Sequence, residues 1–186
     1  MPYVPEAKPK TKLSTWLGLA VALTLFLFPA QAMAGSGGID TTPSNAPAGP
    51  KAKIVDGLAV PPVGAPTKVV RAIEAANRIV LGKKYCLGGG HAEWESRCYD
   101  CSGTVSYALG KRGARVLEAP LPSGDFMSWG ERGPGEWISI YANEGHMYAV
   151  IAGLRLDTSM TDGEGPGWST EMRHQKGFRI RHPLGL

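Results

Sequence analysis

Cys98 and Cys101 stand two residues apart in RCYDCSGTVSYALGKRG, which runs from Arg97 to Gly113, and Cys86 lies upstream. Three chemistries suit this spacing. With His91, the three cysteines make up a Cys3His ligand set for zinc. A Cys-x-x-Cys pair also suits a thioredoxin-like redox site, although such pairs follow a strand in a βαβ pattern and Cys98 reads as loop. The third chemistry makes Cys101 a nucleophile. Ser102 to Lys111 reads as a helix with Val105, Ala108 and Leu109 inward and Gly113 beyond its end. A thiol at its start lies among free helix N–H groups, which stabilise negative charge on sulfur. Ser102 and Gly103 are small enough to admit a substrate carbonyl, and the N–H of Cys101 can help to hold an oxyanion.

A nucleophilic thiol needs a base, and the base needs a partner that orients it. His146 follows the turn Asn143-Glu144-Gly145 at the start of a strand. Asp157 lies eleven residues on, and a hairpin through Gly153 brings it alongside. Asp157 also reads as a cap of the turn before Thr158-Ser159. Asp-Cys-Ser-Gly on its own is equally an ordinary helix N-cap beside a buried cysteine. Gly88-Gly89-Gly90 lacks the Lys-Ser/Thr that completes a phosphate loop.

The elements that position these residues occupy the C-terminal two thirds of the 186-residue chain. Lys8, Lys10 and Lys12, the apolar run Trp16–Phe28, Pro29 and Ala32-Met33-Ala34 read as a secretory signal peptide over residues 1–34, the other reading being an uncleaved N-terminal anchor. At 13 residues the run falls short of a transmembrane helix. Its removal takes three of 20 basic and one of 16 acidic residues, leaving a net charge of +2. That scattered charge argues against a nucleic-acid partner. Export carries the chain into an oxidising compartment, where Cys86 and Cys98 can pair, the other reading being two small apolar fillers. Such a bridge contributes about 3 kcal/mol at most.

Residues 35–66 are rich in Pro, Gly, Ala, Ser and Thr and read as a flexible linker, with room for a short docked segment. Thr67 to Leu81 carries Val69, Val70, Ile73, Ala76, Ile79 and Val80 on one helical face and stops at Gly82. Residues 118–135 read as loop. Trp137–Tyr141, His146–Ala152, Leu154–Thr158 and Phe178–Arg181 read as short strands, the first three forming an antiparallel meander. Helices followed by strands predict an α+β domain over 67–186, long enough for its own core. His174 and His182 read as surface or structural, and Trp129, Trp137 and Trp168 as core or rim.

Taken in order, Tyr85 with Gly88 and Gly89, then Asp100-Cys101-Ser102-Gly103, then Gly145-His146, resemble the NlpC/P60 family of cell-wall cysteine peptidases over roughly residues 68–160. The resemblance implies a papain-like fold, with N-terminal helices packed on a small antiparallel sheet. It implies cleavage of peptidoglycan stem peptides between D-γ-glutamate and a diamino acid. Cys101 would be the nucleophile, His146 the base, and Tyr85 an aid to the oxyanion. Asp100, Ser102 and Gly103 would line the substrate side. The family's third catalytic residue is often a histidine; here Asp157 is the nearest polar residue on that strand. The expectation is an exported monomer with no metal, no cofactor and no stable membrane insertion after signal cleavage. An acyltransferase or transpeptidase would use the same site. A secreted binding or structural module with an inert or zinc-bound cysteine cluster is the reading from another class.

Overall fold

The computed structural model of the chain describes residues 50–159 and 165–186. The expected signal segment, and the linker as far as residue 49, lie outside the described residues. From the N-terminal side the elements are β1 (Lys53–Val55), β2 (Leu58–Val60), α1 (Thr67–Val80), β3 (Lys84–Tyr85), β4 (Cys98–Tyr99), α2 (Cys101–Leu109) and α3 (Ser123–Phe126). After them come β5 (Glu131–Arg132), β6 (Ile138–Ala142), β7 (Met147–Ile151), β8 (Leu154–Asp157), β9 (Gly167–Ser169) and β10 (Arg179–His182). The chain is therefore α+β.

Six strands form one antiparallel sheet in the order β5-β10-β6-β7-β8-β9. The meander β6-β7-β8 lies where the β-branched and aromatic stretches between turns predict it, and β9 extends it. Residues 118–135 hold α3 and β5 as well as loop. The last strand leaves the meander and returns to pair with β6, Ile180 opposite Tyr141. Ala152-Gly153 makes the tight turn between β7 and β8, both residues having positive φ.

The short docked segment for which the linker reading of 35–66 leaves room is a hairpin over its last part. Val55-Asp56-Gly57-Leu58 closes a two-residue hairpin, with Asp56 at φ 49° and Gly57 at φ 77°. Asp-Gly is among the strongest short-range hairpin signals. The hairpin is fastened by three hydrogen bonds. Asn77 Nδ2 donates to Ala59 O (2.8 Å), Ala59 N donates to Asn77 Oδ1 (3.0 Å), and Ala52 N donates to Ala152 O (2.8 Å). Ala52 and Ala59 are buried in the main core, so the packed unit begins before Thr67.

That core lies between α1, α2 and one face of the sheet. Val69, Ile73 and Ala76 of α1 and Val105, Ala108 and Leu109 of α2 meet Ile138, Ile140, Met147, Ala149, Ile151 and Leu156. In α2 every residue after Cys101 is buried. The helix stops at Leu109, earlier than predicted. Gly110 follows, and a Cβ there would lie 1.9 Å from the Trp94 ring.

Cys86 and Cys98 form a disulfide, with Cα atoms 5.6 Å apart. It closes the segment between β3 and β4, which pair in parallel with Tyr85 opposite Tyr99. Constraining the unfolded chain over 12 residues stabilises the fold by about 3 kcal/mol. Non-reducing peptide mapping of protein recovered from an oxidising compartment is expected to return one 86–98 crosslink and a free thiol at Cys101. Recovery of three free thiols would contradict this.

Candidate active site

Cys101 is the first residue of α2 and is partly exposed. Its position is set by backbone packing. The Asp100 carboxylate caps the helix, accepting from Gly103 N (2.7 Å), and also accepts from Gly88 N (3.0 Å). Asp100 N donates in turn to Gly89 O (3.1 Å). The helix start and the glycine loop thus lie against each other with no room for side chains. A Cβ on Gly103 would stand 2.0 Å from Gly89 O, and one on Gly89 2.5 Å from Cys98 O. This packing is a structural reason for the glycines of the motif. Gly103 N is taken by the cap and Thr104 N by Asp100 O, so of the first turn the N–H of Cys101 is the one suited to an oxyanion.

His146 is held by its own turn. Asn143 Oδ1 accepts from Gly145 N (3.0 Å) and His146 N (2.8 Å), and Asn143 N donates to His146 O. The β7–β8 register sets Ala149 opposite Leu156, which brings Asp157 level with the start of β7. His146 Nε2 lies 3.0 Å from Asp157 Oδ1, and Cys101 is close enough to the imidazole to raise its pKa. With Nε2 engaged by Asp157, Nδ1 is the ring nitrogen left to exchange a proton. The structure thus brings His146 against Asp157 with Cys101 nearby.

Asp157 is fully buried at its side chain, whereas His146 keeps 23% of its side chain exposed. Asp157 Oδ1 accepts from Thr158 N (2.7 Å), Ser159 N (3.2 Å) and Ser159 Oγ (3.1 Å). The carboxylate thus caps its turn and meets the imidazole at the same time, so the two readings of Asp157 are compatible. Arg173 is a partner that sequence reasoning missed. Its Nη1 lies 3.2 Å from Asp157 Oδ2 and 3.4 Å from His146 Nε2, and it donates to Ser159 Oγ. No pattern marks Arg173, which comes from a segment 16 residues beyond Asp157. His174 instead accepts from Lys176 N in its own turn, and His182 joins Gly133 O and Glu131 at the far edge of the sheet.

Burial by itself lowers the pKa of His146. The hydrogen bonds to Asp157 and Cys101 and the negative charge of both outweigh it and raise the value from 6.5 to about 9. Burial would raise Asp157, but His146, Arg173 and the Thr158 N–H hold it below its ordinary 3.8. A raised histidine stabilises the fold fully below its unfolded pKa and loses that contribution as pH climbs through the folded one. A lowered carboxylate contributes above its unfolded pKa and fades in acid. The pair's contribution is thus full between about pH 4 and 6.5 and lost by about pH 9. The Tm of the full chain is expected to fall across pH 6.5–9, and Asp157→Asn should remove most of that slope. An unchanged slope in the variant would contradict the pairing.

Tyr85 is 40% exposed and lies across the β3–β4 pair from Tyr99, two residues before Cys101. Partial burial, then the negative charges of Cys101 and Asp100, push its phenol above the usual value. Asp100, Ser102 and Gly103, expected on the substrate side, are all buried. Asp100 and Ser102 face His91, whose Nε2 lies 2.9 Å from Asp100 Oδ2 and 2.8 Å from Ser102 Oγ. The sequence reading weighed His91 only as a zinc ligand. Two of the thiolates in that set, Cys86 and Cys98, are joined to each other.

The arrangement is suited to thiol acyl transfer. An imidazole near the sulfur can take its proton, and the buried carboxylate fixes the ring.

No family model and no curated protein matches the chain. Solved structures with similar folds include the P60 domain of an antigen of M. avium subspecies paratuberculosis, at 20% identity over 61% of this chain and 93% of that one, with a TM-score of 0.45. The peptidoglycan hydrolase RipB of Mycobacterium tuberculosis aligns at 24% identity over 66% of this chain and 68% of its own, with a TM-score of 0.48. A hypothetical invasion protein of Mycobacterium tuberculosis aligns at 20% identity over 66% of this chain and 65% of its own, with a TM-score of 0.46. The chain resembles the NlpC/P60 family. No helix among the described residues is long and apolar enough to cross a membrane.

Proposed function

We propose that this protein is an exported cysteine-type hydrolase that cuts peptidoglycan stem peptides between D-γ-glutamate and a diamino acid. The observation that supports the chemistry is His146 held by the buried Asp157, with the thiol of Cys101 at the start of α2 and close enough to act on the imidazole electrostatically. The substrate class rests on the motif order from Tyr85 to His146. In this reading the Cys101 thiolate attacks the amide carbonyl. The N–H of Cys101 holds the oxyanion, with Tyr85 beside it. His146 gives its proton to the leaving amine, and water resolves the thioester, regenerating the thiol. Asp157 keeps Nε2 engaged so that Nδ1 faces the sulfur. The Cys86–Cys98 disulfide supports an oxidising compartment.

The test is incubation of the full chain with a purified stem peptide that contains the γ-D-glutamyl–diamino acid bond, with mass analysis of the products. Two fragments that together equal the substrate plus one water are expected. An adduct with an added amine would instead identify a transferase. An intact peptide after prolonged incubation would overturn the substrate assignment.

A further inference from the structure

β5 and β10 bring three arginines to one place. Arg132 stands directly opposite Arg181, and Arg179 is two residues along β10 on the same face. Arg181 and Arg179 are in register with Ile140 and Ala142, so this face continues the core side of the sheet out to its edge. Like charges directly opposite in an antiparallel pair are destabilising. None of the three has a carboxylate partner among the described residues. Arg181 Nε donates to a backbone carbonyl, Met127 O (2.7 Å), while Glu131 is taken up by His182. All three arginines line one cavity of about 580 Å³, together with Ser128, Glu144 and Phe178. The cavity adjoins the His146 turn. Glu144 lies two residues before His146, and the Phe178 ring meets the imidazole edge-on at 6.5 Å between centroids.

We propose that this cavity is a binding site for a doubly charged oxyanion, supplied either by a phosphate group or by a dicarboxylate. Guanidinium forks match both groups bidentately, and two unpaired ones, Arg132 and Arg179, are available for it. A bound dianion would also relieve the repulsion between Arg132 and Arg181. The volume accommodates the anion and part of the molecule that carries it. Glu144, the one carboxylate of the lining, repels negative charge and so biases the anion toward the β5–β10 end. The site does not depend on the reaction at Cys101.

Titration calorimetry of the full chain at low salt, with inorganic phosphate in one arm and glutarate in the other, tests the proposal. Saturable binding of at least one is expected. Arg132→Gln and Arg179→Gln should each weaken it about tenfold, through loss of a charge-assisted pair; both leave the Arg181–Met127 bond in place. Preference for phosphate assigns a phosphorylated ligand, and preference for glutarate a dicarboxylate. Parent-like Tm and Cys101 alkylation in the variants show that the fold and the thiol site are intact. The proposal is overturned if neither anion binds, or if the double variant binds as tightly as the parent.

Discussion

Cys101→Ala is expected to abolish cleavage of wall peptides, lowering turnover by at least about a thousand-fold, as loss of a covalent nucleophile does. The side chain is small and partly exposed, so the change should cost only about 1 kcal/mol of stability. The cap from Asp100 to Gly103 and the packing of Gly103 on Gly89 do not involve the sulfur. Assays of stem-peptide turnover beside thermal unfolding separate the two effects. Turnover retained in a folded Cys101→Ala protein would remove the nucleophile assignment.

Asp157→Asn carries the second large effect. The carboxylate accepts from His146 and from the Thr158 and Ser159 N–H groups, and it pairs with Arg173. An amide oxygen can keep part of the turn cap, so the fold should persist. It cannot supply the negative charge that raises His146 to about 9. Turnover should drop on the order of 10³–10⁴-fold, by analogy with loss of the carboxylate in a serine-protease triad. The pH profile distinguishes this from simple damage. If the imidazolium form is active, kcat/KM of the parent falls on the alkaline side as His146 loses its proton near pH 9. In Asp157→Asn that limb should move toward lower pH. Glu144→Gln, on the exposed end of the same turn, should move it little. A parent-like rate and profile in Asp157→Asn would reduce the carboxylate to a turn cap.

The parts legible in the sequence share a physical basis: local periodicity or side-chain chemistry announced them. The apolar face of α1, the β-branched and aromatic stretches of β6 to β8, and the placement of Cys101, His146 and Asp157 on or beside their elements all follow from such patterns. The β1–β2 hairpin was hidden by its surroundings. A Pro- and Gly-rich composition outweighed the two-residue signal Asp56-Gly57, and docking depends on Asn77, an uncharged polar residue in the last turn of α1. Arg173 and His91 were not legible in their roles, because each meets its partner across a fold-dependent distance. Arg173 reaches Asp157 from an irregular segment, and His91 reaches Asp100 around the glycine loop. The arginine face was invisible for a related reason. Arg132 and Arg181 become neighbours only when β10 leaves the meander and pairs between β5 and β6.

The central claim is that His146 makes Cys101 a reactive thiol. Alkylation of Cys101 by iodoacetamide at pH 7 measures this most directly in the intact full chain, with His146→Ala as the comparison. With Cys86 and Cys98 held in the disulfide, the label reports on one site. The account predicts rapid labelling in the parent and a rate more than about tenfold lower in His146→Ala, since the variant lacks the base that takes the thiol proton. Equal, slow labelling of both proteins, as expected of an inert thiol, would contradict it.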